Sequence, residues 1–178
     1  MQRIGVFCSA SSRVPEKYLK AAREIGEALG SAGCTLVYGG TRMGMMSEIA
    51  HGVKEKGGKL LGVVPAIFEE NGRIEPDLDT VVRCKDLAER KNLMAEDAEV
   101  FLALPGGVGT LDEVFSTMAS CTLGYHGKKV VFYNMDGFWD PVIEFLARID
   151  REGFMKQAAL ESFAVASTAD ELLERIRD

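Results

Sequence analysis

The sequence predicts an α/β fold: one Rossmann-like domain, residues 1–178, built on a doubly wound parallel sheet of about seven strands. Short apolar runs alternate with segments of helical period, the pattern of repeated βα units. Glycine-rich turns fall directly after two of those runs, at the strand ends where such sheets bind ligands. The chain has 178 residues, 47% of them hydrophobic and 27% charged, enough for one core that buries roughly 70% of the unfolded surface.

The strands are expected at Ile4 to Cys8, Thr35 to Tyr38, Leu60 to Val64, Thr80 to Arg83, Val100 to Leu104, Lys129 to Tyr133 and Phe163 to Ala166. After Pro15, a residue favoured in a first helical turn, Tyr18, Ala21, Ala22, Ile25, Ala28 and Leu29 recur at helical spacing, and Gly30 and Gly33 read as the stop. Further helices are expected over Met45 to Lys56, Leu87 to Glu96, Leu111 to Leu123, Phe138 to Glu152 and Thr168 to Arg177. The polar stretch Ala66 to Asp79, with Pro65 and Pro76 near its ends, reads as the one long loop, a class of segment that is often functional.

Net charge is −6, which disfavours binding a phosphate backbone over a broad surface and so argues against nucleic acid. A small anion needs only a few local N–H groups. Cys8, Cys34, Cys84 and Cys121 lie far apart in sequence without metal-ligand or C-x-x-C spacing, so buried, reduced thiols and no bound metal are expected. The chain opens straight into a strand and holds no run of membrane-spanning length; no membrane partner and a cytoplasmic location are the expectation.

The strongest motif follows Val100 to Leu104 and reads Pro105-Gly106-Gly107-Val108-Gly109-Thr110-Leu111-Asp112-Glu113. Glycines let backbone approach a ligand closely, and a helix beginning near Thr110 offers unpaired N–H groups and a positive dipole end to a phosphate. The competing reading makes Thr110-x-x-Glu113 a capping box, which accounts for those two residues but not for Gly106, Gly107 and Gly109. A second turn, at Tyr38-Gly39-Gly40-Thr41-Arg42-Met43-Gly44, again allows close backbone approach. It is neither a dinucleotide fingerprint nor a Walker loop, and the first turn is Ser9-Ala10-Ser11-Ser12 rather than glycine-rich, which argues against NAD. Ser9 and its neighbours either hydrogen-bond a sugar or base or serve as turn residues.

In Asp86-Leu87-Ala88-Glu89-Arg90-Lys91-Asn92-Leu93-Met94 the spacing puts Leu87, Arg90 and Met94 on one helix face. A cation on an apolar face must meet an anion or a carboxylate, so Arg90 points to a ligand or to an ion pair, with Glu113 the candidate. Lys91 is a candidate ligand contact or a residue that reaches solvent.

These residues together resemble the Lonely Guy family of cytokinin riboside 5′-monophosphate phosphoribohydrolases. The resemblance spans nearly the whole chain: P-G-G-x-G-T-x-x-E at Pro105 to Glu113, E-R-K at Glu89 to Lys91, Y-G-G at Tyr38 to Gly40, the Gly44-Met45-Met46 helix start, Leu123 to Lys129, and Asp136-Gly137-Phe138-Trp139-Asp140-Pro141. On the residues' own reading Gly106, Gly107, Gly109 and Thr110 are expected to hold the phosphate of a small-molecule nucleotide, with Ser9, Gly39, Gly40 and Lys91 around it; the resemblance implies Arg90 and Glu113 as the catalytic pair. It also implies a homodimer whose paired subunits complete the site, and no cofactor. Leu87-Ala88 and Ser47-Glu48 depart from the family's Met-His and glycine at those places, which bears on base preference. Such chains are often labelled lysine decarboxylases, yet no Ser-x-His-Lys anchor for pyridoxal phosphate is present. The alternative from another class is a non-catalytic nucleotide or cofactor carrier, as in molybdenum-cofactor carriers, which needs the glycine loop but has less need of Arg90 and Glu113.

Overall fold

The computed structural model describes residues 2–177. In chain order the elements are β1 (Arg3–Phe7), α1 (Glu16–Ser31), β2 (Thr35–Tyr38), α2 (Gly44–Glu55), β3 (Lys59–Pro65), α3 (Ala66–Glu70), β4 (Thr80–Cys84), α4 (Leu87–Asp97), β5 (Val100–Ala103), α5 (Val108–Thr122), β6 (Val130–Tyr133), a 3₁₀ turn (Met135–Gly137), α6 (Asp140–Arg151), α7 (Gln157–Leu160), β7 (Phe163–Ala166) and α8 (Ala169–Arg175). All seven strands are parallel, in the order β4-β3-β2-β1-β5-β6-β7. The chain builds outward from β1 to β4 and then returns to set β5 on β1's other side. The strand order therefore reverses between β1 and β5, the topological switch point at which open α/β sheets bind ligands.

Burial on both faces explains the near-continuous apolar strands. Ile4, Val6, Leu36 and Leu102 pack with Ile25, Leu29, Ile49 and Val53 of α1 and α2. On the other face Phe7, Val37, Phe101 and Phe132 pack with Met94, Val114, Met118, Trp139 and Leu146. Gly5 makes room for a stack between Phe7 and Phe101, whose rings lie 4.8 Å apart; a Cβ there would collide with Phe101. Among the described residues no helix is long and apolar enough to cross a membrane.

The structure corrects several expectations. Gly30 does not stop α1: it lies buried inside the helix, against the backbone of Val53 in α2, where a Cβ would not fit. Gly33, at φ 71°, makes the turn instead. The stretch after Pro65 opens with the short helix α3 rather than running as loop throughout, and Ile74 forms an antiparallel bridge with Thr41. Leu87 does not share the buried face of α4; it is 59% exposed, while Arg90 and Met94 are buried. All four cysteines are free, but Cys121 is only half-buried.

One anchor holds the end of β5 in place. Trp139, buried beneath the sheet edge, donates its indole N–H to the carbonyl of Ala103 at 3.1 Å. Asn134 fixes Trp139 in turn, accepting its backbone N–H at 2.8 Å while donating to Asp140 at 2.7 Å. Asp136 takes φ 52° in this turn, a conformation Asp tolerates better than most side chains. The Asp136-Gly137-Phe138-Trp139-Asp140-Pro141 motif thus positions the glycine loop that begins two residues after Ala103.

Candidate active site

Three turns meet at the switch point. The backbone N–H of Ser9, after β1, donates to the carbonyl of Pro105, after β5, at 3.2 Å, and Met45 at the start of α2 donates to the carbonyl of Ser9 at 2.9 Å. Gly44, at φ 57°, presses against the backbone of Ser9 to Ser11, where a side chain would not fit.

The two helices that face this crevice begin differently. Asp86 caps α4, accepting from the N–H of Glu89 at 2.8 Å, and the Glu89 carboxylate reaches back to the N–H of Lys85 at 2.7 Å. α5 starts at Val108 after Gly107, three residues earlier than the sequence suggested, and no side chain caps it. Thr110 is therefore the third residue of the helix, and the capping-box reading of Thr110 and Glu113 is wrong; the box is on α4. An uncapped first turn leaves its N–H groups and positive dipole end available to an anion. Gly106 lacks a side chain because Thr110 packs where its Cβ would lie.

Behind the loop sit Arg90 of α4 and Glu113 of α5, each 7% exposed. Arg90 Nη1 lies 3.4 Å from Glu113 Oε1, and Arg90 Nε donates to the Val63 carbonyl at 3.2 Å. The Phe68 ring faces the guanidinium at 6.0 Å. A Cβ on Gly39 would overlap that guanidinium, so Gly39 is the space Arg90 occupies. Gly40, at φ 69°, turns the chain where a Cβ would meet Val64. Burial pushes the Glu113 carboxyl up from 4.5 to about 7, with Arg90 pulling the other way. Cys8, beside the pair, has its thiol pushed far up by burial and by the Glu113 charge.

The pair and the loop line one cavity of about 320 Å³ together with Ser9, Cys8, Ala10, Thr41, Met43, Met46, Phe68 and Arg73. Of the residues singled out from sequence, Ser9, Arg90, Gly107, Gly109, Thr110 and Glu113 line it. Gly39 and Gly40 stand one layer behind, and Gly106 faces a neighbouring cavity lined also by Ser9, Tyr18 and Phe138. Lys91 is elsewhere, in a groove between α4 and α5, where its ammonium meets both Asp112 oxygens at 2.8 Å and Ser116 at 3.0 Å. The sequence did not single out Thr41, Met43, Met46, Phe68 and Arg73 as site residues; the signal was their place in the second turn, in the Gly44-Met45-Met46 helix start and in the long segment after β3. His51 of α2 lies 3.7 Å from the buried Glu75 carboxylate, away from this cavity. Among the described residues no three His, Cys, Asp or Glu side chains gather as metal ligands.

Residues 43–176 match a family described as "Possible lysine decarboxylase". The chain is 34% identical to a cytokinin riboside 5′-monophosphate phosphoribohydrolase of Arabidopsis thaliana, over 98% of this chain and 77% of that one. It is 35% identical to another so named from Oryza sativa subsp. japonica, over 99% and 73%. The chain belongs to the Lonely Guy family. Among solved structures it is similar to a molybdenum-cofactor carrier protein from Chlamydomonas reinhardtii, with a TM-score of 0.76 and 24% identity over 99% of this chain and 95% of that one. That likeness speaks to the shared fold. The Lonely Guy motifs of this chain are the parts just described: the glycine loop leads into the uncapped start of α5, and the E-R-K triplet is the third to fifth residues of α4.

Proposed function

We propose that this protein hydrolyses the N-glycosidic bond of a nucleoside 5′-monophosphate, a cytokinin riboside 5′-monophosphate or AMP, to free base and ribose 5-phosphate. The observation that carries this reading is the buried Arg90–Glu113 pair at 3.4 Å, set directly behind an uncapped helix start. In the reaction the C1′–N bond breaks with its electron pair going to the base nitrogen, the sugar becomes oxocarbenium-like, and water adds to C1′ while a proton passes to the base. Glu113, as the carboxylate, faces the cationic sugar and orients the water. Arg90 positions the nucleotide and stabilises negative charge on the departing base. The N–H groups at Gly107, Gly109 and Thr110 hold the phosphate, with Ser9 on the opposite wall.

The same reading takes the protein as a homodimer, supported by the family and by the exposed Leu87 and Val108 at the first residues of α4 and α5. Four free thiols, three of them buried, support a reducing, cytoplasmic setting. The test is to incubate the protein with AMP, an N6-substituted AMP and adenosine and follow free base by chromatography. Both monophosphates are expected to be cleaved and adenosine spared by roughly 10⁴-fold or more, since polar groups arranged for a phosphate are left unpaired without it. A carrier would bind the monophosphate and release no base. Comparable cleavage of adenosine and AMP would overturn the role of the loop.

A further inference from the structure

The charged side chains lining the cavity are Arg73, Arg90 and Glu113. Arg90 faces Glu113 and is tied to the Val63 carbonyl, so when Glu113 is ionised the two together bring no net charge. Lys91, the other cation the sequence offers at this end of α4, is held by Asp112 and Ser116 outside the cavity. A phosphomonoester at the start of α5 carries up to two negative charges, and helix N–H groups supply only about half a positive one. Among the described residues no ion pair engages Arg73 in advance.

Arg73 is exposed, yet its backbone is fixed. Its N–H donates to the Phe68 carbonyl at 3.0 Å, its own carbonyl accepts from Arg42 at 3.0 Å, and Glu75 donates to Gly40 at 2.9 Å. With the Thr41–Ile74 bridge, this joins the segment to the same Gly40-Thr41-Arg42 turn that brings Thr41 into the cavity. The side chain thus starts from a fixed root on the cavity rim and is free to close on a ligand.

The geometry points to Arg73 as the cation that binds the substrate's 5′-phosphate, a specificity-determining residue rather than a catalytic one. This rests on the reading above for its substrate, but the test does not depend on turnover. Ribose 5-phosphate, which has the phosphate and no glycosidic bond to a base, is titrated calorimetrically into the wild-type protein and into Arg73→Ala, Arg73→Lys and Arg42→Ala. Wild type is expected to bind it. Arg73→Ala should bind about 10- to 100-fold more weakly, the range for a lost charge-assisted hydrogen bond, with Arg73→Lys in between and Arg42→Ala unchanged. With AMP, Arg73→Ala should raise KM without a matching fall in kcat. Unaltered binding in Arg73→Ala, an equal loss in Arg42→Ala, or no binding of ribose 5-phosphate by wild type would each overturn the proposal. Arg73-dependent binding by a protein that releases no base would leave this inference standing and reject the hydrolase reading instead.

Discussion

Two ion pairs join α4 to α5, one residue apart on each helix. Lys91 and Asp112 meet at 2.8 Å with side chains 24% and 51% exposed, whereas Arg90 and Glu113 meet at 3.4 Å with side chains 9% exposed. By distance alone the first pair is the better one. It lies in water, however, where such pairs contribute about 0–1 kcal/mol. The second has lost most of its solvent and holds a carboxyl whose proton affinity has moved to about 7. A buried, imperfectly satisfied pair is weak evidence for stability, and a perturbed group in a cleft marks a functional candidate. The step of one residue that carries a helix from surface to interior therefore separates a pair that decorates the fold from one suited to chemistry.

The largest effect that would sharpen this contrast is on turnover. Glu113→Gln and Arg90→Ala should each lower base release by roughly 10²- to 10³-fold or more, while Asp112→Asn and Lys91→Ala stay within about threefold, as measured by steady-state kinetics with AMP. Equal losses from the two pairs would erase the distinction, and a large loss from Lys91→Ala would restore that lysine to the substrate site.

The next effect is on pH. Glu113 binds its proton more tightly in the folded chain, at about 7 against 4.5, so it adds stability that is fully present below pH 4.5 and lost as pH rises through 7. The difference corresponds to about 3 kcal/mol. Urea unfolding across this range should show wild type losing stability relative to Glu113→Gln, and parallel curves would contradict the perturbed carboxyl. If the carboxylate is the working form, kcat/KM should rise with pH through about 7, and a residual Glu113→Gln rate should lack that limb.

A smaller change tests how the buried pair is housed. Gly39→Ala places a Cβ in the space of the Arg90 guanidinium and should cost about 1–3 kcal/mol of stability, together with activity. The smallest expected effect is that of Asp112→Asn on stability, less than about 1 kcal/mol in the same unfolding assay.

Much of this was legible in the sequence, for reasons the structure makes plain. Thr35–Tyr38 and Phe163–Ala166 are strands as expected, because apolar runs buried on both faces are read without knowing what covers them. Arg90 came from a helix face that it does share with Met94, Glu113 from the glycine motif, and their pairing as catalytic residues from the family resemblance. What local pattern could not reveal was contact between distant segments. Gly30 looks like a stop unless α2 is known to press on it. Arg73 reaches the cavity because its segment pairs with the Gly40-Thr41-Arg42 turn, as in the bridge between Ile74 and Thr41, 33 residues apart, which no periodicity announces. Lys91 has the same chemistry as a phosphate ligand, and only the neighbouring Asp112 on α5 shows where it is held.

Trp139 is the only tryptophan in the chain, and its indole is bonded to the last residue of the strand that carries the glycine loop. The molecule therefore contains its own optical reporter. Excited at wavelengths that tyrosine absorbs weakly, its emission comes from one buried ring whose hydrogen-bond partner lies four residues before Gly107. A ligand drawn onto the start of α5 is expected to disturb that bond, so occupancy of the loop can be followed by intrinsic fluorescence, without a label and without waiting for a reaction.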